Sequence, residues 1–310
     1  MLQNDFKYQG PNYNDLGYFR LDWVEVFMRY VVYWLGLVLM ILGVSSAAQT
    51  LRLAVPGDVF DDYQALLAGR DPLSLQDFAS PHARRDTVEL LLVQQALAAG
   101  GWQGEIDWRI INSYERILLD LSSGLIDATA TSMWTADLAE ARLPMSDPII
   151  EEGQFVVGVY VHESRQDLLE ADWSYIREQR AISNFAWQTD IDLLRSLGVD
   201  RILSNPTYAT QMRMLALGRA DFRLLSFRPK SDLATVQDDE RFVPIPGIKV
   251  AMPGSRSIGF SRSEQAIAAR LAFNQGLALL KEQGIVEQAY IAAGFFQPLV
   301  QDWQLLNPVD

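Results

Sequence analysis

The fold is decided by the stretch GLIDATATSMWTADLAEARLPMSDPIIEEGQFVVGVYV, residues 124–161. Ile126–Thr131, near its beginning, is a short run of mostly apolar and small residues and predicts a strand. Gln154–Val161, at its end, has no polar residue after Gln154 and predicts another strand. The elements on either side of these strands indicate the class of sheet to which they belong.

On the N-terminal side, predicted strands and helices alternate. In chain order they are strand 51–55, helix 87–99, strand 106–111, helix 114–122 and the strand that begins at 126. Residues 58–82 hold several Asp and Pro residues and are predicted to be irregular. The order β-α-β-α-β predicts a parallel, doubly wound sheet covered by helices. Ligands of such sheets bind beyond the carboxyl ends of the strands.

A second alternating set follows on the C-terminal side. Its predicted elements are strand 180–184, helix 190–197, strand 201–204, helix 210–217 and strand 222–227. A segment interrupted by Pro and Gly, a short strand and two helices then complete the chain over 242–250, 257–260, 263–282 and 285–293. The predicted fold class is α/β with two Rossmann-like lobes. Many enzymes share this pattern, so it does not decide function.

Composition excludes several kinds of function. The 310 residues are 49% hydrophobic and 21% charged, which suits a large core. A net charge of -13 makes nucleic acid a poor partner. The absence of cysteine excludes disulfides, thiolate zinc sites and a cysteine nucleophile. The only histidines, His82 and His162, stand in no ligand spacing, so neither a metal site nor a cofactor is predicted.

The apolar run VVYWLGLVLMILGV, residues 31–44, predicts an export signal. It is shorter than the about 20 residues that cross a bilayer. Arg29 precedes it, and the small residues Ser46-Ala47-Ala48 follow it. Charge, short apolar core and small residues together are typical of a secretory signal peptide, here cleaved after Ala48. The alternative is an uncleaved membrane anchor.

The first residues do not fit that signal. Segment 1–27 contains four acidic residues and has no periodic apolar face, and Met28 offers a start directly before the signal. We therefore predict that 1–27 is a non-native or disordered extension and that 28–48 is the signal peptide. The mature protein is expected in the periplasm.

The stretch 124–161 also resembles the central segment of the family 3 extracellular solute-binding proteins, the polar amino-acid binders of ABC transporters. The shared pieces are a Gly-x-x-Asp strand entry, a small-residue turn before a short helix, and a Phe-Ser-x-Pro-like stretch; here they are Gly124 and Asp127, Thr131-Ser132, and Met145-Ser146-Asp147-Pro148. LGRAD, 217–221, resembles the second-lobe entry, and 257–290 resembles the family's final strand and helices. The likeness covers most of 51–296.

The resemblance implies a type II periplasmic-binding-protein-like fold, in which a two-segment hinge joins the lobes. The implied parts are lobe 1 over 49–152 plus 256–300, lobe 2 over 156–250, and a C-terminal tail over 301–310. The crossovers near 152–156 and 250–256 would form the hinge, where Gly153 and Gly254 suit the backbone. The protein is expected to be a monomer.

In lobe 1, the resemblance implies a ligand site on an aromatic residue and a helix-start turn. The stacking aromatic falls on Tyr114, which otherwise packs on the core. Thr131 and Ser132 occupy the turn, where free N–H groups favour an anion. Trp134 stands where the family has Thr, and it either lines the pocket or packs between elements.

The family's carboxylate-binding arginine position holds Ala139. Arg142 lies one turn further on, and because helical side chains lean toward the N-terminus, it is predicted to supply the same charge. The alternative is a solvated arginine paired with a neighbouring carboxylate. Arg84 and Arg85 are further candidates for binding an anion.

In lobe 2, the family's ammonium-binding aspartate position holds Ser226. Trp187, Gln188 and Thr189 start the preceding helix and are predicted to contact the ligand instead, by stacking and hydrogen bonding. Asp190 is predicted to be a helix N-cap.

The predicted function is that of a periplasmic solute-binding protein and not of an enzyme. It captures a small polar or amino-acid-like ligand between its lobes for an ABC importer. Since Ala139 and Ser226 replace the usual contacts, the ligand is expected to differ from an ordinary zwitterionic amino acid. The alternatives are a non-transport receptor or orphan binder, and a dehydratase-like enzyme on the same fold, although no poised acid or base stands out at the matched positions.

Overall fold

The computed structural model describes residues 50–185 and 187–307. The predicted extension, the signal peptide and its cleavage point fall outside these described residues. Within them, no helix has both the length and the apolar character needed to cross a membrane.

The first lobe is built on a parallel sheet. Its strands pair in the order β2-β1-β3, where β1 is Thr50–Val55, β2 is Glu105–Ile110 and β3 is Ala128–Thr129. The helices that connect them are α1 (Gly57–Leu67), α2 (Arg85–Ala99) and α3 (Tyr114–Ser123). The predicted parallel β-α-β-α-β arrangement is confirmed for this lobe.

Helix α1 corrects the prediction that 58–82 is irregular. Val59, Tyr63, Leu66 and Leu67 recur at helical spacing and are buried. The acidic residues between them face outward, and Asp58 in the first turn complements the helix dipole. In the sequence, these acidic residues obscured the helical spacing of the apolar residues.

The chain between the lobes forms short antiparallel pairs. Strand β4 (Met133–Trp134) pairs with β12 (Arg256–Ser257), and the short helix α4 (Thr135–Glu140) follows β4. Strand β5 (Val156–His162) then leaves the first lobe. It runs beside the returning strand β11 (Ile248–Ala251), so the two crossovers are hydrogen-bonded to each other.

The second lobe has a mixed sheet rather than a purely parallel one. Strand β5 pairs antiparallel with β8 (Arg223–Leu225), β10 (Glu240–Pro244) and β11, and β10 pairs with β9 (Thr235–Gln237). The strands β6 (Ala181–Ser183) and β7 (Ile202–Ser204) are parallel, and a bridge joins Ala181 to Phe222 beside β8. The helices of this lobe are α5 (Gln166–Leu169), α6 (Trp173–Ile176), α7 (Gln188–Ser196) and α8 (Tyr208–Ala216).

The last elements return to the first lobe and then to the second. Helix α9 (Glu264–Glu282) packs on α2, and α10 (Ile285–Ala292) follows it. A 3-10 turn (Pro298–Val300) leads to strand β13 (Gln304–Leu305), which pairs with β11. The Asn307 side chain also bonds the backbone N–H and C=O of Ala251. Residues 304–307 of the segment predicted as a tail are therefore held against β11, while the predicted lobe bounds remain predictions.

Each lobe contains the same clamp, in which an arginine in or directly before a strand binds the aspartate of the Gly-x-x-Asp segment. Asp127 accepts hydrogen bonds from the N–H, Nε and Nη2 of Arg52, and Nη2 also donates to the carbonyl of Gly124. Asp221 accepts from the same three atoms of Arg180, whose Nη2 reaches the carbonyl of Gly218. The motif therefore fastens β1 to the segment that leads into β3 in the first lobe, and β6 to the segment that leads into β8 in the second.

Candidate functional site

A cleft of ≈ 720 Å³ lies where the strands of the two lobes end. Residues that follow β1, β2 and β3 line it from the first lobe, and residues that follow β6, β7 and β8 line it from the second: Pro56, Asn112, Ser113, Thr131, Asn184, Pro206 and Ser226. Its volume is in the range of small-molecule sites. Its position agrees with the rule that ligands bind beyond the carboxyl ends of parallel strands.

Most of the predicted site residues line this cleft. They are Tyr114, Thr131, Ser132, Trp134, Trp187 and Ser226. Gln188 and Thr189 do not, and Gln188 Nε2 donates to Asp192 at 2.7 Å on the exposed side of α7. The cleft also includes Arg85, one of the two further anion-binding candidates, whereas Arg84 pairs with Asp58 and Asp62 elsewhere.

Arg142 lies outside the cleft lining. Helix α4 ends at Glu140, and Arg142 has a left-handed φ of 53°. The lean of helical side chains therefore does not apply to it, and the physical reason for expecting it in the site is absent. Its carbonyl accepts a hydrogen bond from the Arg262 guanidinium.

In the first-lobe turn, the donors of Ser132 are already occupied by Glu89 on α2. The Ser132 N–H donates to Glu89 Oε2 at 2.7 Å, and Ser132 Oγ donates to Oε1 at 2.8 Å. Arg85 and the Tyr290 hydroxyl donate to the same carboxylate at 3.1 Å each. Glu89 is 0% exposed. The Ser132 donors, which the sequence analysis assigned to a ligand anion together with Thr131, thus bind a carboxylate of the chain itself.

Arg256 holds the turn from the other side. Its Nε donates to Ser132 Oγ at 3.1 Å, and its Nη2 donates to the Ser132 carbonyl. The guanidinium lies 4.5 Å from the Trp134 ring centroid, and Trp134 also stacks on Phe155 at 5.5 Å. Burial and repulsion from Arg85 lower the pKa of Arg256 to about 10. Trp134 thus lines the cleft and is packed between elements at the same time.

Tyr114 presents its ring to the cleft while its hydroxyl is used internally. The hydroxyl donates to Asp137 at 2.6 Å and accepts from the Trp134 N–H at 3.2 Å. Burial and the hydrogen bond to Asp137 raise the pKa of Tyr114. A ligand therefore meets an apolar aromatic face here.

The second-lobe wall contains two ionisable residues, Arg223 and Asp190, to which the sequence analysis gave no role in ligand binding. Arg223 on β8 is 4% exposed, and its guanidinium lies 4.9 Å from the Tyr208 ring centroid. Asp190 faces the same cleft and accepts one long hydrogen bond, 3.4 Å, from Ser183 Oγ. Burial raises the pKa of Asp190 to about 6, against the opposing effect of Arg223.

Asp190 is not the N-cap of α7, as the sequence had predicted. Trp187 occupies the cap position, and no side chain in the described part of the chain caps the helix. Asp190 lies within the first turn, and its carboxylate bonds Ser183 rather than a backbone N–H of the helix.

The residues missed by sequence reasoning come from inside elements. Glu89 is the one polar residue within the run 88–93 of α2, and a carboxylate in such a run was a signal that the sequence offered. Arg223 and Arg256 belong to short strands. Whether such residues line a cleft depends on how segments that are separate in the sequence pack together.

Comparisons with known proteins support the fold. The sequence matches no protein-family model and no curated protein. The structure is similar to the periplasmic VFT2 domain of BvgS from Bordetella pertussis, at 13% identity, 77% coverage of this chain, 92% of that chain and a TM-score of 0.52. It is also similar to AbpA, an amino acid ABC transporter substrate-binding protein from Streptococcus pneumoniae bound to L-arginine, at 15% identity, 79% and 94% coverage and a TM-score of 0.51. These likenesses confirm the predicted α/β fold with two lobes.

Proposed function

We propose that this chain is a solute-binding protein that captures a small polar or amino-acid-like ligand between its two lobes. The observation that carries the proposal is the cleft, which the carboxyl-end loops of both lobes line together. Side chains from both walls would contact a ligand held there, so binding favours a conformation in which the lobes approach.

The proposed setting is the periplasm, reached through a signal peptide cleaved near Ala48. There the protein, as a monomer, would deliver its ligand to an ABC permease. The similar AbpA protein is named as a substrate-binding protein of such a transporter, and the similar BvgS domain is named as periplasmic, which supports this setting.

A ligand screen tests the proposal. Residues 49–310 would be purified and screened by thermal shift against amino acids, their amides and small aromatic acids, and hits would be titrated by calorimetry. A true ligand at 100 times its Kd stabilises the folded state by about 2.7 kcal/mol. Ser226→Trp, which fills the cleft, should abolish the shift, whereas Ser122→Trp on the exposed face of α3 should leave it unchanged.

Two results would contradict the proposal. One is that every compound gives the wild-type protein a thermal shift no larger than the shift it gives Ser226→Trp. The other is chemical change of a bound compound, detected by mass spectrometry of the recovered ligand, which would favour the enzyme alternative.

A further inference from the structure

In the first-lobe turn, the Ser132 donors are not free for a ligand anion. Both the N–H and the hydroxyl of Ser132 bind Glu89, and Arg85 binds Glu89 and Asp86. A ligand carboxylate could use these donors only by displacing Glu89, which is fully buried. Displacement would leave a buried carboxylate without its partners, which is strongly unfavourable.

Arg223 in the second lobe is in the opposite situation. Among the residues that the structure describes, its Nε has no hydrogen-bond partner, and its Nη1 contacts the Met212 sulfur at 3.8 Å. Within the described residues it forms no ion pair with a carboxylate, although a guanidinium carries five N–H donors. Buried charges in proteins are almost always paired. This arginine therefore lines the cleft with its binding capacity unused.

Two neighbours complete a binding surface around Arg223. The Tyr208 ring packs on its guanidinium and holds it in place, and both residues line the cleft. Asp190 interacts with Arg223 but keeps most of its acceptor capacity, since Ser183 is its one hydrogen-bond donor within the described residues. A cation that can bind an anion, Arg223, and a carboxylate that can accept a hydrogen bond, Asp190, thus line the same wall of the cleft.

We propose that Arg223 binds the carboxylate of a small organic acid or amino acid, while Asp190 accepts a hydrogen bond from a donor group of the same ligand. The apolar part of the ligand then lies toward the Tyr114 ring on the opposite wall. The inference rests on the proposed function and adds the ligand's chemical class and its orientation, with the anion on the second lobe.

Matched acids and primary amides test this assignment. The probes are benzoate and benzamide, L-phenylalanine and its amide, and L-arginine and its amide, each titrated calorimetrically at one pH and one salt concentration. For at least one pair, the acid should bind the wild-type protein and the amide should bind at least tenfold more weakly. Arg223→Met should weaken binding of the acid about 100-fold and remove the preference for the acid. Arg223→Lys keeps the positive charge but lacks the planar, bidentate guanidinium, so its affinity for the acid should lie between those of the wild type and Arg223→Met.

A matched control is Arg213→Met on the exposed face of α8 in the same lobe, which should change neither affinity nor preference. Thermal unfolding of each variant would show that the fold is retained. The assignment is overturned if acids bind Arg223→Met within threefold of the wild type, or if amides bind the wild type as well as acids do. Both results leave the proposed function standing. A wild-type protein that binds none of the probes or library compounds overturns the proposed function and this inference together.

Discussion

Asp190 couples the cleft to pH. Burial raises its pKa to about 6, whereas an aspartate in an unfolded chain has a pKa of about 3.9. The folded protein therefore holds this proton more tightly, and the resulting stability is fully present below about pH 4 and is lost as the pH rises through about 6. Above that range the folded state carries a charge that its surroundings disfavour.

Asp190→Asn should consequently raise the free energy of unfolding near pH 7 by up to about 3 kcal/mol, at 1.36 kcal/mol per pKa unit. It should also flatten the dependence of stability on pH between about 4 and about 6. Urea unfolding at several pH values measures both effects. Asp192→Asn, at an exposed position of the same helix, is the control. Equal pH slopes in the wild type and Asp190→Asn would contradict the expectation.

Asp221 behaves in the opposite way. Burial alone would raise its pKa, but the hydrogen bonds from Arg180 and Arg165 lower it to about 2. Its contribution to stability is present above about pH 4 and is lost as the pH falls toward 2. Asp221→Asn should destabilise the protein at pH 7 by about 2 to 4 kcal/mol, because it removes the carboxylate that binds both arginines. Arg180 then loses its charged partner, whereas Arg165 keeps its ion pair with Asp167.

Denaturant unfolding at pH 7 and at pH 3 tests this expectation, and the difference between variant and wild type should shrink at the lower pH. The control is Asp232→Asn, an exposed ion pair with Arg241, which should cost less than about 1 kcal/mol. A smaller loss for Asp221→Asn than for Asp232→Asn would exclude the clamp as a source of stability.

For single residues, the sequence predicted which positions line the cleft better than it predicted what each side chain binds. Tyr114, Thr131 and Ser226 reach the cleft because each follows the end of a strand, which strand prediction can place. Glu89 and Arg223 could not be assigned in the same way, since their contacts depend on segments far away in the chain. Ser132 was placed correctly, but its hydrogen bonds go to the protein rather than outward.

Among the elements, α2 and α9 are packed unusually close together, and glycine makes this possible. A Cβ added to Gly276 on α9 would lie 1.8 Å from the carbonyl oxygen of Ala96, and one added to Gly100 would lie 1.8 Å from that of Ala272. Backbone atoms cannot move aside as a flexible side chain can. The two helices therefore cross with their backbones in contact.

Gly276→Ala should destabilise the protein by about 1 to 3 kcal/mol through overpacking. In an open helix the same substitution would instead stabilise by about 1 kcal/mol, so the sign of the effect is diagnostic. Ala268→Gly, at an exposed position of α9, measures that propensity alone and should cost about 1 kcal/mol. Stabilisation by Gly276→Ala in a urea titration would contradict the close crossing.

Element prediction succeeded where the hydrophobic period was clear and failed where polar residues masked it. Helices α2 and α9 begin and end within a few residues of the predicted bounds. Helix α1 was missed because three Asp residues and a polar surrounding sequence obscured the spacing of its apolar residues. The mixed sheet of the second lobe was also missed, since strand direction depends on pairing that single strands do not encode.

For the whole molecule, the central question is how the lobes respond to a ligand. Two hydrogen-bonded crossovers, β5 and β11, connect them, and the segment that ends in Asn307 is fastened to β11. A paired two-strand connection restricts twisting more than a single linker would, but it leaves opening and closing about the crossovers possible. The sequence resemblance predicted the two-segment hinge, whereas the attachment of 301–307 needed the structure.

Closure can be measured cleanly because the natural chain has no cysteine, so spin labels attach only where cysteines are introduced. Ser122→Cys on α3 and Arg213→Cys on α8 place one label on an exposed surface of each lobe. Pulsed electron resonance should show the distance distribution shifting to shorter values when a ligand is added, to the extent that the ligand binds the closed state more tightly. A second pair, Ser122→Cys with Ala268→Cys, lies within the first lobe and should not respond. If calorimetry shows saturation while the interlobe distribution stays fixed, the cleft binds its ligand without closing, and the lobes do not act as a clamp.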